Sequence, residues 1–315
     1  MKINSVNTTI KSISNFYYKL SNFGKVLLFI TILLILMTIF KTNLPSGKEG
    51  FIEKENFLFK RGVDIYDDFY ADIYDYLVFN DVKNEYEVGK IINSTEANTE
   101  SIILDVGCGN GHHVSKIAEN NLNIVGIDIS PSMIKKAKEN YPNLKFILGN
   151  VLNNHQFKQN SFTHILCLYF TIYYFKNKEE FFRNCYDWLM PGGYLIVHIV
   201  NREKFDPILP PGNPLYIVSP QKYAKERITK TKINFNEFTY SSEFNLIPQD
   251  NLATFNEKFK FPNGNVRNNE HVLYMESEDV IAEIANEVGF TLQGKIDLLN
   301  CAYEYQYLYV FVKPS

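Results

Sequence analysis

The stretch that most constrains this chain is Ile102-Ile103-Leu104-Asp105-Val106-Gly107-Cys108-Gly109-Asn110-Gly111-His112-His113. An apolar run ends in an acid and enters a turn in which every second residue is glycine. Helical spacing follows at Val114, Ile117 and Ala118. Strand, glycine turn and helix in direct succession bring backbone N–H groups and a helix N-terminus against a nucleotide-like ligand. The spacing narrows the choice. The glycines form G-x-G-x-G, whereas the dinucleotide fingerprint G-x-G-x-x-G needs its third glycine at 112, which is His112. An NAD-dependent oxidoreductase is disfavoured on that ground.

The 315 residues are 45% hydrophobic and carry a net charge of -3, an ordinary globular balance with no basic surplus to attract nucleic acid. Cys108, Cys167, Cys185 and Cys301 show no C-x-x-C spacing, so they read as reduced thiols. No histidines or cysteines fall at metal-ligand spacing, and no metal is expected.

Residues 1–25 contain Lys2, Lys11, Lys19 and Lys25 and no acid. Residues 26–40 are uncharged. A segment apolar all round predicts a transmembrane helix over 26–40, short for a bilayer but flanked by Lys25 and Lys41, which can snorkel. The lysines before the span favour a cytoplasmic N-terminus; the later cofactor argument favours a cytosol-facing domain instead. Residues 41–61 read as a linker, with the folded domain over 62–315. Aromatic and apolar residues at 66, 69, 70, 73, 74 and 77 give helix spacing.

From residue 101 strands and helices alternate, the pattern of a parallel α/β sheet. Strands are expected near 101–106, 123–128, 144–149, 162–168 and 193–200, with helices near 112–120, 131–140 and 177–189. Ser130-Pro131 fits a helix start. Residues 202–276 break the alternation, and Pro262-Asn263-Gly264-Asn265 signals a hairpin. An antiparallel β insertion is expected there. A helix from Ser277 to Gly289 and strands near 291–299 and 303–313 close the chain.

Taken together, Asp105-Val106-Gly107-Cys108-Gly109-Asn110-Gly111 resembles the [D/E]-x-G-x-G-x-G motif of the class I S-adenosylmethionine-dependent methyltransferases. Trp188-Leu189-Met190-Pro191-Gly192-Gly193 resembles the L-x-P-G-G segment before the fifth strand of that family. The resemblance covers residues from about 62 to the C-terminus. It implies a Rossmann-like sheet of seven strands, the last antiparallel, with the insertion following the fifth strand and acting as a lid, as in relatives resembling glycine and sarcosine methyltransferases.

The same resemblance implies a site. Gly107, Cys108, Gly109 and Gly111 let the backbone approach the methionine portion of S-adenosyl-L-methionine, with Asp105 offsetting its ammonium or orienting the turn. Asp128, at the end of the second strand, accepts from the ribose hydroxyls. Ile129 packs on the adenine, and Met133 and Val151 are further cofactor-binding candidates. Asn150 stands where the family usually has an acid and accepts from the adenine amino group, the alternative being a plain turn asparagine. Leu168 flanks the methionine amine, and Tyr70 closes over the methionine end. Tyr173 and His271 are the candidates for catalysis, with Arg267 a further candidate for handling the acceptor.

The expected protein is thus a membrane-anchored methyltransferase acting on a small-molecule acceptor, with no nucleic-acid partner. Thr163, Asn150 and Tyr173-Tyr174 depart from the family pattern and motivate the alternative, a catalytically inactive adaptor that binds S-adenosylmethionine.

Overall fold

The computed structural model describes residues 20–42, 57–210 and 220–315. The predicted basic tail up to residue 19, residues 43–56 of the predicted linker and residues 211–219 of the insertion lie outside them. The chain divides into two units, residues 1–53 and 54–315.

In the first unit, helix α1 spans Asn22–Thr42 and contains the uncharged run. Phe23, Val26, Leu27, Phe29, Ile30, Ile32 and Leu33 are exposed on it. Among the described residues no helix is long and apolar enough to cross a membrane. The expected transmembrane helix over 26–40 is therefore not supported as a span.

The second unit opens with strand β1 (Phe57–Arg61), a 3-10 turn (Gly62–Ile65) and helix α2 (Asp68–Val78). The structure thus corrects the linker, whose last five residues are a strand. It also breaks the expected helix near 64–77 in two, because the Asp67 side chain accepts from the Tyr70 amide and caps α2. Helix α3 (Asp81–Thr95), capped by Asn80, was not anticipated.

Then come β2 (Ile102–Val106), α4 (His112–Ala118), β3 (Asn123–Asp128), α5 (Pro131–Asn140), β4 (Lys145–Leu148), β5 (Phe162–Cys167), α6 (Lys178–Trp188) and β6 (Leu189–Val200). After the insertion, α7 (Glu278–Val288) leads to β11 (Thr291–Asp297) and β12 (Gln306–Val312). The seven strands lie in the order β11-β12-β6-β5-β2-β3-β4. β12 runs antiparallel to both of its neighbours, and the pairings from β6 to β4 are parallel. This is the expected Rossmann-like methyltransferase sheet.

Covered on both faces, β2, β5 and β6 read as near-continuous apolar runs, and Leu104, Val106, Ile165, Cys167, Val197 and Ile199 are almost wholly buried. Helix α6 seals one face with the adjacent pair Phe181 and Phe182, then Cys185 and Trp188 at three-residue steps from Phe182. Pro191 and Gly192 fall within β6, at an irregularity in its pairing with β5.

The insertion forms a second sheet. Strands β7 (Lys230–Asn234), β8 (Thr239–Ile247), β9 (Leu252–Lys260) and β10 (Val266–Tyr274) pair antiparallel in sequence order. The Pro262–Asn265 signal joins β9 to β10, with Gly264 at φ 85°. β1 adds to the far side of β10 in parallel, so this sheet has five strands.

Candidate functional site

β2 is the strand at which the sheet order turns, with β3 on one side and β5 on the other. Ligands bind beyond the carboxyl ends of such strands. There a cavity of about 790 Å³ opens within the second unit. The glycine turn forms one wall. Gly107 and Gly109 sit at φ 68° and 51°, where a side chain is strained. A Cβ on Gly107 would lie 2.7 Å from the Thr171 side chain, so the backbone reaches the cavity only because glycine is there.

Asp128 fixes this turn. Its Oδ2 accepts from the Gly109 amide at 3.0 Å and its Oδ1 from the Ser130 amide at 2.8 Å. Each carboxylate oxygen has two lone pairs, so both can still accept from vicinal hydroxyls. Burial raises the Asp128 carboxyl, and the backbone amides of Ser130, Gly109 and Ile129 work against that rise. Asp105 lies deeper and is almost fully buried. Burial, with the Asp128 and Glu87 charges adding and His113 opposing, lifts its pKa to about 7. A cationic ligand group beside it would restore its charge.

Tyr70, Asp105, Gly107, Cys108, Gly109, Asp128, Ile129, Met133, Asn150, Val151, Leu168 and His271 all line the cavity. Ile129 is 45% exposed and presents an apolar side chain on the cavity wall. Asn150 Oδ1 accepts from the Leu152 amide at 2.9 Å, so it is a turn asparagine as well as a wall residue. Burial raises the Cys108 and Cys167 thiols well above their usual range, which keeps them from acting as nucleophiles.

Three expectations are corrected. Gly111 does not line the cavity. It caps α4 at φ 88°, and a Cβ there would lie 2.7 Å from the Phe146 ring, so its glycine serves packing. Tyr173 is fully buried away from the cavity, where its Oη accepts from the Val200 amide at 2.8 Å. Arg267 is also buried outside the cavity wall. It grips Asp67 through two 2.9 Å contacts from Nη1 and donates to the Ile65 carbonyl, tying β10 to the cap of α2.

Two clusters escaped the sequence reading. On α3, Lys83 meets Glu87 at 2.7 Å, both almost fully buried, and His113 Nε2 lies 3.0 Å from the other Glu87 oxygen. Burial would raise the Glu87 carboxyl, but Lys83 and His113 prevail and hold it down at about 2. The second cluster centres on Glu257 of β9. Its Oε1 accepts from Tyr70 and Tyr240, and its Oε2 faces Asn269 at 3.0 Å and His271 Nε2 at 2.8 Å. A polar side chain on the buried phase of an alternating strand is the signal that marks Glu257, Asn269 and His271.

Comparison with known proteins agrees with this geometry. Residues 103–193 match the family described as a methyltransferase domain. The chain is 27% identical over 129 residues to the ubiquinone biosynthesis O-methyltransferase of Rickettsia canadensis, covering 40% of this chain and 53% of that protein. It is 35% identical over 100 residues to phosphoethanolamine N-methyltransferase 3 of Arabidopsis thaliana, covering 30% of this chain and 20% of that one. The chain thus spans about half the length of the first relative and a fifth of the second. A crystal structure of an S-adenosylmethionine-dependent methyltransferase from Clostridium acetobutylicum superposes with a TM-score of 0.59 at 16% identity, over 78% of this chain and 98% of that one. Residues 103–193 thus match a methyltransferase domain, and the chain has the fold of the S-adenosylmethionine-dependent methyltransferases. The cofactor of that class is S-adenosyl-L-methionine, and the residues present fit it: a glycine turn open to the cavity, a carboxylate suited to a diol, and a buried acid suited to an ammonium.

Proposed function

We propose that this chain transfers a methyl group from S-adenosylmethionine to a small-molecule acceptor. The observation that carries the reading is Asp128, whose carboxylate ends β3, holds the Gly109 turn and faces the cavity. Asp128 would hold the ribose hydroxyls, Ile129, Met133 and Val151 the adenine, with Asn150 at its edge. Gly107, Gly109 and Leu168 would hold the methionine portion, with Asp105 facing its ammonium. When bound, the cofactor supplies a methyl on a sulfonium, already a strong electrophile. The chain's own work is then to exclude water and to align the acceptor. The five-stranded sheet supplies the far wall through Phe244, Phe255, His271 and Leu273. His271 is the group there that can take a proton from an acceptor.

The relatives are named for O- and N-methyl transfer, and quinone biosynthesis appears among them. A small organic acceptor is consistent with that range and with a cavity closed by a lid sheet. The narrower likeness to glycine and sarcosine methyltransferases rests on the insertion alone. The test is incubation of the full chain with S-adenosylmethionine labelled on its methyl group and a small-molecule extract. Label passing into a low-molecular-weight product supports the reading, whereas cofactor binding without transfer to any fraction favours the inactive adaptor.

We further propose that α1 attaches the chain to a membrane, with the catalytic unit on the cytosolic side where S-adenosylmethionine is made. The support is the uncharged stretch 26–40 and the exposed apolar side chains from Phe23 to Leu33. Flotation of the full chain with phospholipid vesicles, and loss of flotation on deleting residues 1–42, is the expected result. Equal flotation of both would remove the proposal.

A further inference from the structure

Opposite the glycine turn, four side chains form an unbroken line of hydrogen bonds. Tyr66 Oη donates to Tyr174 Oη at 2.8 Å. Tyr174 Oη lies 2.8 Å from His271 Nδ1, and His271 Nε2 lies 2.8 Å from Glu257 Oε2. The far end sets the direction of every proton. Burial alone would raise the Glu257 carboxyl, but His271, Asn269 and Tyr240 hold it below the usual carboxylate range, so it is an anion. An anion only accepts. His271 therefore donates from Nε2, and in the neutral ring, the form able to receive a proton, the lone pair is on Nδ1. Tyr174 donates to that lone pair and Tyr66 donates to Tyr174. The open end of the line is the oxygen of Tyr66, half-buried on the cavity wall.

Around this end the walls are apolar and aromatic, with the rings tilted against one another. The rings of Phe170 and Phe205 are 5.3 Å apart and those of Phe205 and Phe244 are 5.2 Å apart. Phe244 pairs with Phe255 across the sheet, and the Phe255 ring is 5.7 Å from His271. All five line the cavity. Rings set at such angles offer both edges and faces to an aromatic ring. Burial raises both Tyr66 and Tyr174, so they pass protons as neutral phenols rather than holding a charge. An ordinary phenol, with a pKa of about 10, gives up its proton more readily than these raised tyrosines, so the line needs a base beyond them, and His271 stands there.

Resting on the methyl-transfer reading, we infer that the acceptor is a phenolic hydroxyl on a planar apolar body, and that its proton leaves through Tyr66 and Tyr174 to His271. The carbon–sulfur bond of the sulfonium breaks as the oxygen–carbon bond forms. The acceptor proton passes to Tyr66, that of Tyr66 to Tyr174, and that of Tyr174 to Nδ1. The products are an aryl methyl ether, the neutral thioether S-adenosylhomocysteine and an imidazolium beside Glu257. The positive charge has moved from sulfur to His271, and no other reactant is consumed. Glu257 is a positioning residue: it fixes the tautomer of His271 and stabilises the imidazolium.

The probe is 4-nitrocatechol, whose phenolate absorbs visibly. The full chain, saturated with S-adenosylhomocysteine, is titrated with it and then taken through pH 5–9. Bound probe should ionise at lower pH than free probe. His271→Gln, Glu257→Gln and Tyr66→Phe should each move the bound midpoint up by about one pH unit, a tenfold change in ionisation. Calorimetric affinity for S-adenosylhomocysteine should stay within about twofold. Tyr66→Phe, at a half-buried position, keeps the test open if a change at Glu257 unfolds the lid. An unmoved midpoint in Tyr66→Phe and His271→Gln overturns the relay. Absence of nitrocatechol binding to a chain that binds S-adenosylhomocysteine overturns the acceptor class alone. If S-adenosylhomocysteine also fails to bind, the methyl-transfer reading falls with it.

Discussion

The Asp128 carboxylate and the Gly109 amide, 19 residues apart, meet at 3.0 Å. The contact joins the end of β3 to the turn that follows β2, so the adenosine and methionine portions of one ligand would lie on a single rigid surface. Ser130, whose amide the same carboxylate also holds, caps α5 through Met133 and donates from Oγ to the Tyr66 carbonyl at 2.6 Å. The cofactor wall at Asp128 and the backbone of Tyr66 are thus joined by two hydrogen bonds through Ser130.

Gly107→Ala should damage both stability and binding. The new Cβ would sit 2.7 Å from Thr171 at a left-handed φ of 68°. The backbone strain alone is about 1–2 kcal/mol. A lower melting temperature together with weakened S-adenosylhomocysteine binding is the expected pair of results, read by thermal unfolding and calorimetry.

Asp105 should make stability fall with rising pH. Buried, it keeps its proton up to about pH 7. An unfolded aspartate releases it near 4. The folded state therefore binds more protons between those values. The contribution is complete below about pH 4 and is lost as pH rises through 7, on the order of 4 kcal/mol in all. Asp105→Asn should unfold at a higher temperature than the native chain at pH 8, and that advantage should shrink as pH falls and vanish near pH 4. Binding of S-adenosylhomocysteine at pH 6 should also release a proton, seen as an enthalpy that depends on the buffer.

Lys83→Met should destabilise strongly, by roughly 3–5 kcal/mol, because it leaves the Glu87 charge buried without its 2.7 Å partner. Lys83→Met with Glu87→Gln removes both charges and should recover most of the loss. Urea unfolding of the two variants checks the order.

Tyr173→Phe should cost stability and leave the chemistry alone. It strips the Val200 amide of its 2.8 Å acceptor in a fully buried place. That loss is about 1–3 kcal/mol. Cofactor affinity should not change at a temperature where the variant is folded.

Much of this was legible in the residues. The runs 102–106 and 123–128 declare buried parallel strands because both faces are apolar, and Asp105 and Asp128 stand out as acids at their ends. Gly111 looked like its neighbours, since a glycine needed for packing against Phe146 reads the same as one needed for a ligand. Tyr173 and Tyr174 are adjacent, yet the 3-10 turn over Thr171–Tyr174 sends one to Val200 and the other to His271. Adjacency in sequence cannot separate them. β1 was hidden because five residues gain strand structure only by pairing with β10, more than 200 residues away. The relay was hidden for the same reason: Tyr66, Tyr174, Glu257 and His271 meet only once the second sheet folds over the first, although the buried phase of β9 and β10 marks two of the four.

The most direct test of the central claim is calorimetric titration of the full chain with S-adenosylhomocysteine, native beside Asp128→Ala. Saturable binding at one site per chain is expected, weakened about 10- to 100-fold in Asp128→Ala by the loss of charge-assisted hydrogen bonds. A folded native chain that takes up no S-adenosylhomocysteine, or an Asp128→Ala variant that binds it as tightly as the native chain, would contradict the account.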